Sequence, residues 1–244
     1  MNVLMLRFDA PLISFGGSSV DHNGVVQPLP AASMVTGLCG NALGWTHHDA
    51  GKLQALQDRL RYAVRTDRAG DALVDYQTVD MGTPWMLPAL AGWTTRGEVA
   101  ERSGANSQST HQRYRHYRAD SIHTVALTLV GETQPDVEVL EASLRRPSRP
   151  LFIGRKCCLP AAPICLGIVE APSLIEALAT CPRVDRADPN PIAAFWDDGD
   201  PVAGGLDLSH VLPVTDERDW ATRLHVGRRL IRQGFINPPE AVHG

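Results

Sequence analysis

Val3 to Phe8 is apolar at nearly every position, with weak alternation, the pattern of a buried strand. A polar, glycine-containing loop follows from Asp9 to Pro30 and includes Ser14-Phe15-Gly16-Gly17-Ser18-Ser19. Pro30 then precedes a small-residue run, Ala31 to Gly44. A proline near the first turn and a glycine at the end mark a helix. A second helix is expected from Ala50 to Leu60, with Asp49 as its N-cap. Tyr62, Val64 and Thr66 alternate with Arg61, Ala63 and Arg65, so a strand follows. The stretch from Asp67 to Gln112 differs. Gly70, Gly82, Gly92, Gly97 and Gly104 punctuate it, and apolar residues gather around Trp85 to Trp93. A loop of that length inside a compact domain is usually functional or disordered. Val125, Leu127 and Leu129 read as a strand, and Val137 to Leu144 as a helix with Val137, Leu140 and Leu144 on one face. Leu151–Ile153 and Ile164–Val169 read as short strands, Leu174–Leu178 as a helix, Val211–Val214 as a strand and Trp220–Leu230 as a helix.

The first 170 residues thus read β-α-(α)-β-insertion-β-α-β, the ferredoxin-like order. The expected fold class is α+β, with a ferredoxin-like (RRM-like) domain over residues 1–170. A long insertion at about 68–112 projects from it, and a small mixed C-terminal appendage, 171–244, packs on the core. The stretch Asp185 to Gly205 reads as an exposed, acidic excursion. The five cysteines are odd in number and form no CxxC, so free thiols in a reducing compartment are expected. The N-terminal apolar run breaks at Arg7 and Asp9, and no window approaches the roughly 18 apolar residues of a membrane span. The expectation is a cytoplasmic protein with no membrane partner.

The net charge of −4 hides a pattern. Lys52 and Lys156 are the only lysines among 23 basic residues. Arg145, Arg146, Arg149, Arg155 and Lys156 cluster without an acid between Ala142 and Cys158, and Arg223, Arg228, Arg229 and Arg232 do so between Trp220 and Gly234. Asp185 to Asp219 carries a local net charge of −7. Nucleic-acid binding depends on local basic faces, and the planar arginine fork donates bidentately to phosphate.

Three segments in order carry a family resemblance. The first is Ser14-Phe15-Gly16 followed by the Pro30-initiated helix with Ser33 and Gly37-Leu38-Cys39-Gly40-Asn41-Ala42-Leu43-Gly44. The second is Gln112-Arg113-Tyr114 through Tyr117-Arg118-Ala119-Asp120. The third is Phe152-Ile153-Gly154-Arg155-Lys156-Cys157-Cys158-Leu159-Pro160. Together they resemble the CasD subunits of type I-E CRISPR Cascade, within the RAMP superfamily. The family's helix commonly opens Pro-Thr-Lys/Arg-Ser; here it reads Pro30-Ala31-Ala32-Ser33, without the basic residue. The resemblance implies a β-hairpin thumb in the insertion and binding of the 5′ handle of CRISPR RNA. It also implies contacts with the CasC and CasA subunits, and target DNA reached through the assembled complex.

The residues suit that chemistry. Ser14, Gly16 and Gly17 form a loop whose N–H groups can approach a phosphate closely. Ser33 and Thr36 lie near a helix N-terminus, which favours anions. On a strand, Arg113, Arg115 and Tyr117 share one face, and Tyr114, His116 and Arg118 the other. Arginine on phosphate and aromatic on splayed base is the single-stranded RNA pattern. Arg155 and Lys156, with Arg145 and Arg146 nearby in sequence, offer further cations. Trp85, Met86 and Leu87 are candidates for a thumb wedge beside a base. The same residues also suit a tight turn, helix capping, a charged edge strand, surface ion pairs and subunit packing. The main rival is a metal-independent endoribonuclease acting on CRISPR repeat RNA, using groups such as His47, His48, His111, His116, His123 and Lys156 for proton transfer. No spacing assembles them into a catalytic set, and the resemblance implies a non-catalytic subunit. No cofactor or metal is expected: there is no HExxH, and Asp197-Asp198-Gly199-Asp200 lacks the full calcium-loop pattern.

Overall fold

The computed structural model describes residues 1–17, 23–80, 110–199 and 208–241. The chain forms two compact units. One comprises Met1–Ser18, Val26–Leu73 and Tyr117–Gly244; the other comprises Ser19–Val25 and Val74–His116. The elements in chain order are β1 (Asn2–Ile13), β2 (Asn23–Gly24), α1 (Ala32–Ala42), α2 (Ala50–Arg59), β3 (Leu60–Arg68), β4 (Asp71–Asp80), β5 (Thr110–Leu129), α3 (Val137–Arg145), β6 (Cys165–Glu170), α4 (Leu174–Thr180), β7 (Ile192–Asp197), β8 (Leu208–Val214), β9 (Glu217–Asp219), β10 (Leu224–Val226) and β11 (Arg229–Ile236).

The first unit is a mixed α+β body around a large sheet of strand order β6-β1-β5-β3-β7-β11-β8. Each neighbouring pair along this path runs antiparallel. Strand β1 is apolar on both faces because both are covered. Leu4, Leu6 and Phe8 join Val35, Leu38, Leu56, Leu140 and Leu144 from α1, α2 and α3 in one core. Val3 and Met5 point the other way and join Leu174, Leu178 and Trp196 in a second core that includes α4.

A buried charge fastens α4 to the sheet. Arg65 on β3 is fully buried and donates to the carbonyls of Leu178, Cys181 and Pro182 at the helix C-terminus. A cation is favoured there by the helix dipole. Asp67 neutralises it at 2.7 Å and accepts a second bond from Thr124. In the second unit, β2 runs parallel to β5 at Tyr114 and Arg115, and Arg115 donates to Gln77 on β4 at 2.7 Å. All five cysteines are free thiols. No described helix is long and apolar enough to cross a membrane.

Several expectations are corrected. Residues 171–244 are no appendage beside the sheet: they supply β7, β8 and β11 to it. The acidic stretch read as exposed contains β7, where Ile192, Ala194, Phe195 and Trp196 are buried. Trp220–Leu230 is not a helix. Asp219 accepts from the N–H groups of Ala221 and Thr222, and Arg223 adopts φ +64, which turns the chain into β10. Arg228, Arg229 and Arg232 therefore share no helical face; Arg229 pairs with Asp216 and Asp197, and Arg232 with Asp198. Leu151–Ile153 forms a loop rather than a strand. Asp49 is the N-cap residue of α2 as expected, but its carboxylate accepts from Thr46 N–H and Lys52 rather than from the amides of the helix.

Removing one partner of a buried ion pair strands the other charge, at a cost of about 3–5 kcal/mol. Asp67→Ala is therefore expected to destabilise the protein by that order, read as a lowered urea midpoint in equilibrium unfolding. An unchanged midpoint would refute a structural role for the pair.

Candidate nucleic-acid interface

A cleft of about 380 Å³ opens in the first unit, and segments distant in sequence line it. The end of β1 contributes Ser14, Gly16 and Gly17; α1 contributes Ser33, Met34, Gly37, Leu38 and Asn41. The loop after residue 151 contributes Phe152, Gly154 and Arg155, and the β9–β10 hairpin contributes Arg218, Trp220 and His225. His47 completes the rim.

Each wall has an identifiable support. Buried Phe15 packs edge-on against His123 at 4.8 Å between centroids, and its carbonyl accepts from Gln27 N–H at 2.7 Å. This holds Ser14 and Gly16 in place. Gly154 sits at φ +93, and any Cβ there would lie inside the van der Waals surface of the Ser14 carbonyl. Only glycine lets these two loops meet. Arg155 lies over the Tyr117 ring, 4.8 Å from its centroid. Buried Gln57 on α2 fixes the hairpin: it donates to Arg218 O at 2.9 Å and accepts from Arg218 N–H and Trp220 Nε1 at 3.1 Å each.

The position of α1 follows from a carboxylate. Ala31 offers no side-chain cap. Asp216 supplies one from far along the chain, accepting from Ala32 N–H at 3.0 Å on its side chain and from Ser33 N–H at 3.0 Å on its backbone carbonyl. Burial opposes ionisation of Asp216, but the Arg229 ion pair, Ala32 N–H and the Tyr62 hydroxyl outweigh it and hold its pKa below the usual carboxylate value. The anion expected at this helix N-terminus is thus the protein's own. Thr36 is fully buried, so its expected contact with a phosphate is corrected: its hydroxyl is closed off inside the fold. Ser33 remains on the cleft wall.

The electrostatics are one-sided. Among the described residues, the lining carries Arg155, Arg218, His47 and His225 and no Asp or Glu. Burial, and Arg223 nearby, lower the pKa of Arg218, the mark of a cation without enough compensating negative charge. Arg218 Nε and His225 Nδ1 are buried with no hydrogen-bond partner among the described residues.

Comparison with known proteins now decides the family. A family model described as CRISPR-associated protein (Cas_Cas5) matches residues 3–232. The chain belongs to the Cas5 family of CRISPR-associated proteins. It is 28% identical over 176 residues to the Cascade subunit CasD of Escherichia coli strain K12, covering 72% of this chain and 75% of that one. Among solved structures, a chain of a CRISPR RNA-guided surveillance complex superposes with TM-score 0.66 at 23% identity, over 97% of this chain and 91% of that one. A crystal structure of a Cas protein gives 0.64 at 27% identity over 98% of each.

In this Cas5-family fold, the sequence-expected Ser14, Gly16, Gly17, Ser33 and Arg155 converge on the cleft. Lys156 is exposed beside it in sequence, and Arg118 is exposed on β5 opposite Ile13. Arg145 pairs with Glu141 at 2.9 Å and lines a separate, largely apolar cleft with Leu144, Pro160 and Ile164. Arg146 is exposed at the end of α3. Arg113, Tyr114 and Arg115 belong to the second unit, where Tyr114 packs on Tyr76 at 5.2 Å. Trp85, Met86 and Leu87 lie outside the described residues. Of the nuclease candidates, His123 is buried and held neutral, its pKa pushed down to about 3 by burial and by Arg118. Sequence reasoning missed Arg218, Trp220, His225 and Asp216. The turn residues Asp219, Thr222 and Gly227 around the alternating Leu224–Val226 were the available signal.

Two outcomes follow. Gly154→Ala is expected to destabilise the chain by about 2 kcal/mol or more, through backbone strain and the displaced Ser14 loop. Thermal or urea melts would show this, and wild-type stability would refute the close-approach account. For His123, folded and unfolded imidazoles are both neutral above about pH 6.5. Below that, the unfolded chain takes up a proton that the folded chain refuses until about pH 3. Stability therefore falls with pH, by up to about 1.4 kcal/mol per unit. Urea midpoints at pH 7 and pH 5 should differ less in His123→Gln than in wild type.

Proposed function

We propose that this Cas5-family chain is a non-catalytic, CRISPR RNA-binding subunit of a Cascade-type surveillance complex. It holds the 5′ handle of the guide RNA and caps one end of the backbone, in the cytoplasm. The strand order β6-β1-β5-β3, with α1 and α3 covering one face, supports reading the core as ferredoxin-like, its strands in the 4-1-3-2 arrangement. The second unit comprises most of the chain segment in which a thumb is expected. The partners are the guide RNA and sister subunits of the CasC and CasA type, with target DNA met through the assembled complex.

One observation carries the reading. The glycine loop, α1 and the Gly154-Arg155 loop meet at a cleft whose charged lining, among the described residues, is arginine and histidine and no carboxylate. Open backbone at Gly16, where a Cβ would meet nothing within 4 Å, suits close approach by a phosphate. Sequence choice on the target then falls to base pairing by the guide. Relatedness to CasD favours holding over cutting.

The test is a tagged pull-down from cells that co-express the sister subunits and a repeat–spacer transcript. Mature guide RNA should co-purify, with its 5′ end protected. The triple variant Arg113→Ala, Arg155→Ala, Lys156→Ala should lose most of that RNA. It should also flatten the plot of log affinity against log salt by about 2, near 0.7 per phosphate contact removed. RNA retention at wild-type level in the triple variant would remove these residues as contacts. Cleavage of repeat RNA in EDTA by the purified chain would overturn the non-catalytic reading.

A further inference from the structure

We propose that the β9–β10 hairpin is the second wall of an RNA grip. On this wall, Arg218 and His225 engage one unstacked nucleotide of single-stranded RNA, while Gly16 and Arg155 face its phosphate. The proposal rests on the RNA-binding reading above and adds to it a site in the C-terminal segment.

The hairpin is built for contact. Arg218 and His225 are direct cross-strand partners in its register, so their side chains leave the same face, and both line the cleft. The planar Arg218 guanidinium lies over the Trp220 ring, its central carbon 5.5 Å from the centroid. Such a plane can stack on a splayed base or donate to its edge. Trp220 is itself buried and anchored through Nε1 to Gln57. The wall is thus rigid before any ligand arrives, which lowers the ordering cost of binding.

The hairpin is also chemically unfinished. Arg218 Nε and His225 Nδ1 are both buried without a partner among the described residues, and the cleft has no carboxylate among the described residues that line it. Buried polar groups of this kind are normally satisfied. Both atoms are closed to solvent, so they mark an uncompensated, electropositive wall rather than points of contact, and an entering nucleotide brings negative charge to that wall. The volume, about 380 Å³, is at the small end for ligand clefts and suits a single nucleotide rather than a helix.

The experiment uses the complex purified from cells that co-express the full chain, its sister subunits and a repeat–spacer transcript. The RNA is cross-linked to protein with ultraviolet light, and peptides are mapped by mass spectrometry. A parallel sample is washed with stepwise sodium chloride, and RNA release is followed. A nucleotide adduct is expected on the peptide spanning Arg218 to His225. Arg218→Ala and His225→Ala should each weaken RNA retention about tenfold, the loss expected for one charged or buried hydrogen bond. Arg218→Lys, which keeps the charge but loses the fork, should fall between Arg218→Ala and wild type. It also carries the test if Arg218→Ala fails to assemble. Normal retention in these variants, with adducts confined to other segments, overturns the hairpin proposal and leaves the RNA-binding reading standing. A sister-subunit peptide found seated on the hairpin in place of RNA also overturns it. A wild-type complex without RNA overturns both.

Discussion

The architecture turns on one buried carboxylate. Asp216 accepts from the first turn of α1, from the Tyr62 hydroxyl on β3 and from the Arg229 guanidinium on β11, and Arg229 reaches on to Asp197 on β7. Three strands and a helix therefore share one charge network. Asp216 also immediately precedes β9. The group that fixes the start of α1 thus fixes the root of the hairpin across the cleft, and the spacing between the two walls becomes a property of this network. The carboxylate is neutralised from several sides at once, the condition under which burying a charge is tolerable.

The sheet explains why such an anchor is needed. Strand β7 lies between β3 and β11, so residues from the last quarter of the chain complete the middle of the body. Both faces are covered, by α1, α2 and α3 on one side and α4 on the other. Some polar groups that enter these cores arrive with partners. Arg65 is matched by Asp67 and by the carbonyls ending α4, and His123 by Ser121 and Thr66. Other buried atoms lack a partner among the described residues: Arg218 Nε and His225 Nδ1 at the cleft, and Thr36 Oγ1, Arg65 Nε and Trp196 Nε1 inside the body.

The sequence made the N-terminal half legible because its local signals agreed with its tertiary setting. Proline before α1, alternation in β3 and the apolar face of α3 marked elements that formed within a residue or two of the expected ends. Legibility failed where long-range contacts decided the outcome. Strand β7 is buried on both faces, so its short apolar run showed no alternation to separate it from the surrounding acids. The segment 220–230 carried a helix-like apolar and arginine spacing, but the Asp219 turn and the ion pairs of Arg229 override it. The same logic divides the site. Ser14, Gly16, Gly17 and Arg155 stood out through local motifs. Thr36 was misread because nothing local shows that its helix turn faces inward, and Asp216 was invisible because it acts 184 residues from the amide that it receives.

That separation has a consequence for the order in which the molecule comes into being. A ribosome releases the glycine loop and α1 early and the segment that contains Asp216 and the hairpin late. Until that segment emerges, α1 lacks its N-terminal acceptor, and until β7 emerges, β3 lacks the neighbour on its second edge. No nascent fragment can present a finished cleft. Contacts of such long sequence separation close slowly, because the entropy of a large loop must be overcome first. The cleft is therefore all-or-none with respect to synthesis: a chain stopped before the hairpin holds one wall, and a chain that includes it holds both.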